Sequence, residues 1–179
     1  MPRTSFPQFI IVSGSGKKVG KTHMVTALIR SFSGQLPLLA LKISPHVHDS
    51  LGNSRLLFDS GNFRIYQDNE PHHKNSGQYL QSGARASYFM ETQDDCLHEA
   101  FAAFMQICNP DKKPVICESG ALGNMIKPAL LIFIISAGVL PESKKKSEQL
   151  ADLVLPARIF SAEEITRRIN WTGVNWLLD

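Results

Sequence analysis

The chain has 179 residues, 43% of them apolar and 20% charged, with a net charge of +3. That balance fits one globular domain with a buried core and excludes a disordered tail, a collagen-like fibre and a disulfide mini-protein. The small basic excess fits a phosphate-bearing ligand and is too scattered to argue for nucleic acid.

In chain order, the opening MPRTSFPQFIIV has a four-residue apolar run, too short for a signal peptide. Phe9 to Val12 predicts a strand. A Gly-rich turn follows, and Lys21 to Phe32 predicts a helix with Met24, Leu28 and Ile29 on one face. Leu38 to Ile43 is a second apolar run, closed by Ser44-Pro45. The stretch 49–82 is rich in Asn, Gln, Ser, Gly and His and shows no period, which predicts a polar loop or lid. Ala86 to Met90 predicts a weaker strand. Asp94 to Ile107 predicts a helix stopped by Asn109-Pro110. Val115 to Cys117 and Leu130 to Ile135 lack polar alternation, as strands covered on both faces do.

A charged run at Lys144-Lys145-Lys146 reads as a solvated helix start. Asp152 to Leu155 predicts another strand, and Ser161 with Glu164 a capping box opening a final helix. Trp171 and Trp176 read as covering the core edge or a subunit contact. Strands alternating with helices imply a single three-layer α/β domain with a mostly parallel sheet. The longest apolar run, Ala129 to Ile135, has seven residues, against the roughly twenty a membrane helix needs. The odd cysteine count (Cys96, Cys108, Cys117) suits reduced thiols. The expectation is a cytoplasmic chain with no membrane partner.

The strongest motif is Gly14-Ser15-Gly16-Lys17-Lys18-Val19-Gly20-Lys21-Thr22 between the first strand and the first helix. Backbone N–H groups of such a turn, with the helix N-terminus, converge on phosphate oxygens. Gly20 lets the backbone approach the phosphates, Lys21 reaches the terminal phosphates, and the Thr22 hydroxyl suits magnesium. Lys17 and Lys18 read equally as added charge at the phosphates or as solvated side chains. Ser15 stands where the strict spacing has Gly. This is the signature of a P-loop NTPase fold.

Such a site needs a carboxylate at a strand's carboxyl end. Glu118, directly after Val115-Ile116-Cys117, is the first candidate, and Asp49, beyond the second strand, the second. Lys42, in an apolar run near the end of that strand, calls for an anionic ligand or a path to solvent. His46 and His48, and the adjacent His72 and His73, lack the partners of a dedicated transition-metal site and read as ligand contacts or loop residues.

Taken in order, several segments resemble the molybdopterin-guanine dinucleotide biosynthesis protein B family of P-loop proteins. They are Val12 to Gly16 with Gly20-Lys21-Thr22, Lys42 followed by His46, His48 and Asp49, Lys74-Asn75-Ser76 leading to Gly83-Ala84, and Cys117-Glu118-Ser119-Gly120. The resemblance implies a GTP-binding, magnesium-dependent accessory protein of molybdenum cofactor maturation: a weak NTPase, homodimeric, working with a partner enzyme. Lys21 and Glu118 would be its catalytic residues, Thr22, Glu118 and Asp49 its metal ligands. The loop wording, ending Val19-Gly20-Lys21-Thr22, is also similar to dethiobiotin synthetase. That likeness implies an ATP-dependent, carboxylate-activating ligase. A nucleotide-binding module without turnover is a third expectation. No Asn-Lys-x-Asp guanine reader is present, so the residues leave GTP against ATP open.

Overall fold

The computed structural model describes residues 2–45, 53–71, 73 and 76–179. Asp49, His46, His48, His72 and Lys74-Asn75 lie outside the described residues. The first unit is β1 (Thr4–Gly14), α1 (Lys21–Phe32) and β2 (Leu39–Ser44). From Gln8 to Gly14, β1 is buried at every position, so it cannot alternate polar and apolar residues. In α1 the buried positions Met24, Val25, Leu28 and Ile29 recur at helical spacing.

The stretch expected as a polar loop contains β3 (Ser54–Asp59), β4 (Phe63–Asp68) and the short helix α2 (Gly77–Gln81). This corrects the sequence reading. β3 and β4 form an antiparallel hairpin, and β4 pairs with β5 (Ala86–Thr92). The hairpin turn is closed locally: the Ser60 hydroxyl accepts from the Phe63 N–H, and Asp59 Oδ1 accepts from the N–H of Gly61, whose φ is +86°. The signal is weak because β3 is largely exposed, while β4 buries only Phe63, Ile65 and Asp68. β3 is held by pairing to β4, and β4 by pairing to β5 and by the burial of Phe63 and Ile65.

α3 (Leu97–Cys108) starts three residues later than predicted, behind a turn at Asp94 to Cys96. It ends at Asn109, which takes the left-handed conformation at φ 39°. Then come β6 (Val115–Glu118), α4 (Leu122–Met125), β7 (Ile126–Ile135), α5 (Glu142–Gln149), β8 (Leu153–Pro156) and α6 (Ala162–Thr166). The Ser161 hydroxyl caps α6 by accepting from the Glu164 N–H. β9 (Ile169–Trp171) and β10 (Trp176–Leu178) close the chain as a small hairpin. Trp176 is buried against the core, and its indole N–H donates to the Gln8 carbonyl at 2.9 Å. That carbonyl lies in the irregular stretch of β1 between Phe6 and Ile10, which contains Pro7 with no N–H to give to the ladder.

The eight-stranded sheet runs β3-β4-β5-β2-β6-β1-β7-β8. The six strands from β5 to β8 are parallel, and β3 and β4 add an antiparallel edge. Alternate residues of β1 feed two cores. Ile10 and Val12 pack with Met24 and Leu28 of α1, whereas Phe9 and Ile11 pack with Phe101 and Phe104 of α3. The molecule is thus an α/β fold with helices on both faces of a mostly parallel sheet. Among the described residues, no helix is long and apolar enough to cross a membrane. The connection from β1 runs one way across the sheet to β2, and that from β6 runs the other way to β7. A crevice at the carboxyl ends of β1 and β6 follows from that divergence.

Candidate functional site

A cleft of about 710 Å³ opens at this point, lined by the turn after β1, the ends of β2 and β6, and the first turn of α5. The turn is shaped by three backbone requirements. Gly14 leaves no room for a side chain: a Cβ there would stand 2.7 Å from the Ile134 carbonyl oxygen and 2.9 Å from Val19 Cγ2. Lys18 and Gly20 both take positive φ, 58° and 109°, and alternation of that kind curls N–H groups toward one side. α1 follows directly, and its first-turn amides have no intrahelical acceptor.

Three of the residues singled out in the loop take roles other than ligand contact by their side chains. Val19 is buried in the core beneath the turn. The Ser15 hydroxyl accepts from the Ser136 N–H at 2.9 Å and sits 3.0 Å from the Ser136 hydroxyl, while the Ser15 N–H donates to the Ile134 carbonyl. Serine in the usual glycine position thus ties the turn to the end of β7. Gly16 has open space around it, and its carbonyl accepts from Lys21 Nζ. Lys17 and Lys18 are exposed at the rim.

Glu118 lies at the centre, 7% exposed. Its Oε2 accepts from the Thr22 hydroxyl at 2.8 Å and from the Tyr79 hydroxyl at 2.5 Å. Its Oε1 lies 3.8 Å from Lys42 Nζ. Lys42 is therefore no stray charge in an apolar strand: it ends beside a carboxylate at the cleft. Burial lowers the Lys21 pKa. Glu118 partly offsets this, while repulsion from Lys144 and Lys42 adds to it. Tyr79, fully buried, is held well above the ordinary phenol value by burial and by the Glu118 charge, so it stays a hydrogen-bond donor.

The site therefore brings together Lys21, Thr22, Lys42 and Glu118 from three separate places in the chain. Asp49 is outside the described residues. Sequence reasoning missed Tyr79 and Lys144. Tyr79 is one aromatic residue in a stretch read as polar. Lys144 was read with its neighbours as solvated, yet it is half-buried and donates to the Gly120 carbonyl at 3.3 Å, whereas Lys145 and Lys146 are exposed.

The donor set fits a magnesium-bound polyphosphate. Three lysines line the cleft against one carboxylate, leaving excess positive charge for phosphates. A carboxylate beside a threonine hydroxyl suits a hard cation that takes its remaining ligands from phosphate and water. Among the described residues no group of three or more His, Cys, Asp or Glu gathers as a closed metal cage would require. A second depression of about 530 Å³ adjoins the cleft along the outer side of α1. It shares His23 with the cleft and is walled by Phe160, whose ring lies 3.5 Å from a Cβ built on Gly20. No family model, no curated protein and no solved structure matches this chain.

Proposed function

We propose that the chain is a P-loop protein that binds a magnesium–purine nucleoside triphosphate, GTP or ATP, in the cleft between α1 and α5. The observation that carries this reading is one cleft lined by Lys21, Lys42 and Lys144 together with Glu118 and Thr22, at a glycine-shaped turn opening a helix. On this reading the turn amides and Lys21 hold the phosphates. Lys21 leaves the Gly16 carbonyl to do so, and its charge, disfavoured by burial, is restored by the anion. Thr22 and Glu118 hold the magnesium ion, which when bound draws charge from the terminal phosphates and makes them better electrophiles. Tyr79 keeps the Glu118 carboxylate aimed at the cleft by donating to it. The nucleoside end extends toward His23 and Phe160.

Within this class, the order of motifs along the chain favours a weak NTPase that assists molybdopterin guanine dinucleotide formation, as a dimer with a partner enzyme. The Val19-to-Thr22 loop wording favours the second reading, an ATP-dependent ligase of the dethiobiotin synthetase type. Thermal shift against a nucleotide panel, with and without magnesium, tests the shared core. Stabilisation of about 2.7 kcal/mol is expected at ligand near one hundred times its dissociation constant, and Lys21→Ala should abolish it while the apo protein stays folded. An unchanged shift in Lys21→Ala refutes the phosphate-loop reading. The molybdenum branch is tested by adding the chain to a reaction that attaches GMP to molybdopterin. A higher yield, lost in Lys21→Ala, is expected; no effect on yield favours the ligase.

A further inference from the structure

We propose that Lys144 is a second phosphate-binding lysine, which separates a nucleoside triphosphate from a diphosphate by holding the terminal phosphate from the face of the sheet opposite the phosphate loop. This rests on the nucleotide reading above.

The placement is the first argument. α1 packs in the core cluster on one face of the sheet, and the chain leaving α5, through Leu150 and Ala151, packs in the cluster on the other. Lys21 and Lys144 therefore enter the cleft from opposite sides. Lys144 ends at the Gly120 carbonyl, two residues past Glu118, and a Cβ on Gly120 would stand 3.2 Å from its Nζ. Thr22 and Glu118 are the residues that would hold a cation bound with the phosphates. Lys144 lines the cleft with them, not at the nucleoside end near His23 and Phe160.

The energetics of Lys144 are the second argument. It is the third residue of α5, where the positive end of the helix disfavours a cation. Its neighbour Lys145 offsets this with an ion pair to Glu142 at 2.6 Å. Lys144 has only a carbonyl, and no carboxylate of the described residues lies within ion-pair distance of it. A half-buried cation beside Lys21, at a helix N-terminus and with no acid partner among the described residues, is set for an incoming anion. The phosphate loop reaches its phosphates with backbone amides. A lysine from the other side adds a contact only where a third phosphate is present.

The experiment compares the wild-type chain with Lys144→Ala, Lys144→Arg and Lys145→Ala. Calorimetry measures binding of a non-hydrolysable triphosphate and the matching diphosphate, with magnesium at constant ionic strength. Apo melting temperatures of all four proteins are recorded alongside. In Lys144→Ala, triphosphate affinity is expected to fall about ten-fold or more, a clear change in binding free energy, while diphosphate affinity stays within about two-fold. Lys144→Arg should keep most of the discrimination and Lys145→Ala all of it. Equal weakening of both nucleotides would make Lys144 a general source of positive field and overturn the proposal, leaving nucleotide binding intact. No weakening would return it to solvent and overturn it equally. A wild-type chain that binds neither nucleotide overturns this proposal and the proposed function together.

Discussion

The parallel and antiparallel parts of the sheet differ in more than strand direction. In β2, β6 and β1 the carboxyl ends emerge at one edge, where Lys42 near the end of β2 meets the terminal residues Glu118 and Gly14. In the β3–β4 hairpin successive strands reverse, so the chain ends of neighbouring strands point to opposite edges. The burden of stability differs in the same way. Gln8 to Gly14 of β1 are buried on both faces, whereas β3 exposes Leu56 and Phe58 to 49% and 38%. A strand that carries the core leaves its end free for chemistry. A strand added at the margin does neither, and its sequence is correspondingly free.

The largest expected effect sharpens that contrast. Phe9 is fully buried in β1 and packs against Phe6 and Phe101 at ring separations of 6.0 and 5.7 Å. Phe9→Ala should cost about 3–5 kcal/mol in chemical denaturation. A loss below about 1 kcal/mol would mean that β1 is not the centre of the core.

Next is the carboxylate. Glu118→Gln keeps the shape but removes the charge that faces Thr22 and Lys42. Magnesium-dependent turnover should fall about ten-fold or more, which is at least roughly 1.4 kcal/mol of barrier, with nucleotide binding still measurable. Unchanged turnover would break the idea that the parallel strand ends hold the chemistry and would move the role to Asp49.

The third effect is on pH. Lys21 has a lowered pKa in the free protein, mainly from burial. A bound phosphate raises it again, so binding takes up a proton wherever pH lies between the free and bound values. Affinity should then fall as pH rises through that alkaline window, by at most about ten-fold per unit for one proton. The linkage on folding has the opposite sign: between the lowered folded value and 10.5, the unfolded chain holds more protons, so apo stability rises with pH. Calorimetry in buffers of different ionisation heat measures the uptake, and none above neutral pH would contradict the burial of Lys21. The smallest effect is at the margin. Leu56→Ser on exposed β3 should change stability by no more than about 0.5 kcal/mol, and a loss above about 2 kcal/mol would show that the hairpin bears load after all.

Much of the fold was legible because local chemistry and global burial agree in the parallel strands. Phe9 to Val12, Val115 to Cys117 and Leu130 to Ile135 are apolar without alternation, since both of their faces are covered. The helix from Lys21 to Phe32 has its predicted limits, since a glycine at φ 109° opens it and its apolar period is unbroken. The hairpin was not legible. β3 is held mainly by backbone pairing to β4, and β4 by pairing to β5 beside two buried residues, and backbone pairing leaves no mark on residue type. β7 begins four residues ahead of the apolar run, at Ile126, because Thr4 to Phe6 of β1 supply partners for Lys127 and Pro128, which a reading by composition passes over.

The sequence by itself determined the glycine-rich turn after β1, the two-faced parallel strands and the candidates Lys21, Thr22, Lys42 and Glu118, because each rests on residue type within a few positions. Tertiary structure alone decided what those residues meet. Ser15 binds Ser136 across 121 positions, Tyr79 reaches Glu118 across 39, and Lys144 parts from its two neighbours to lie beside Lys21. Such contacts depend on which strands lie side by side and on which face a helix crosses. Those are properties of the whole chain's packing, and no short stretch of it encodes them.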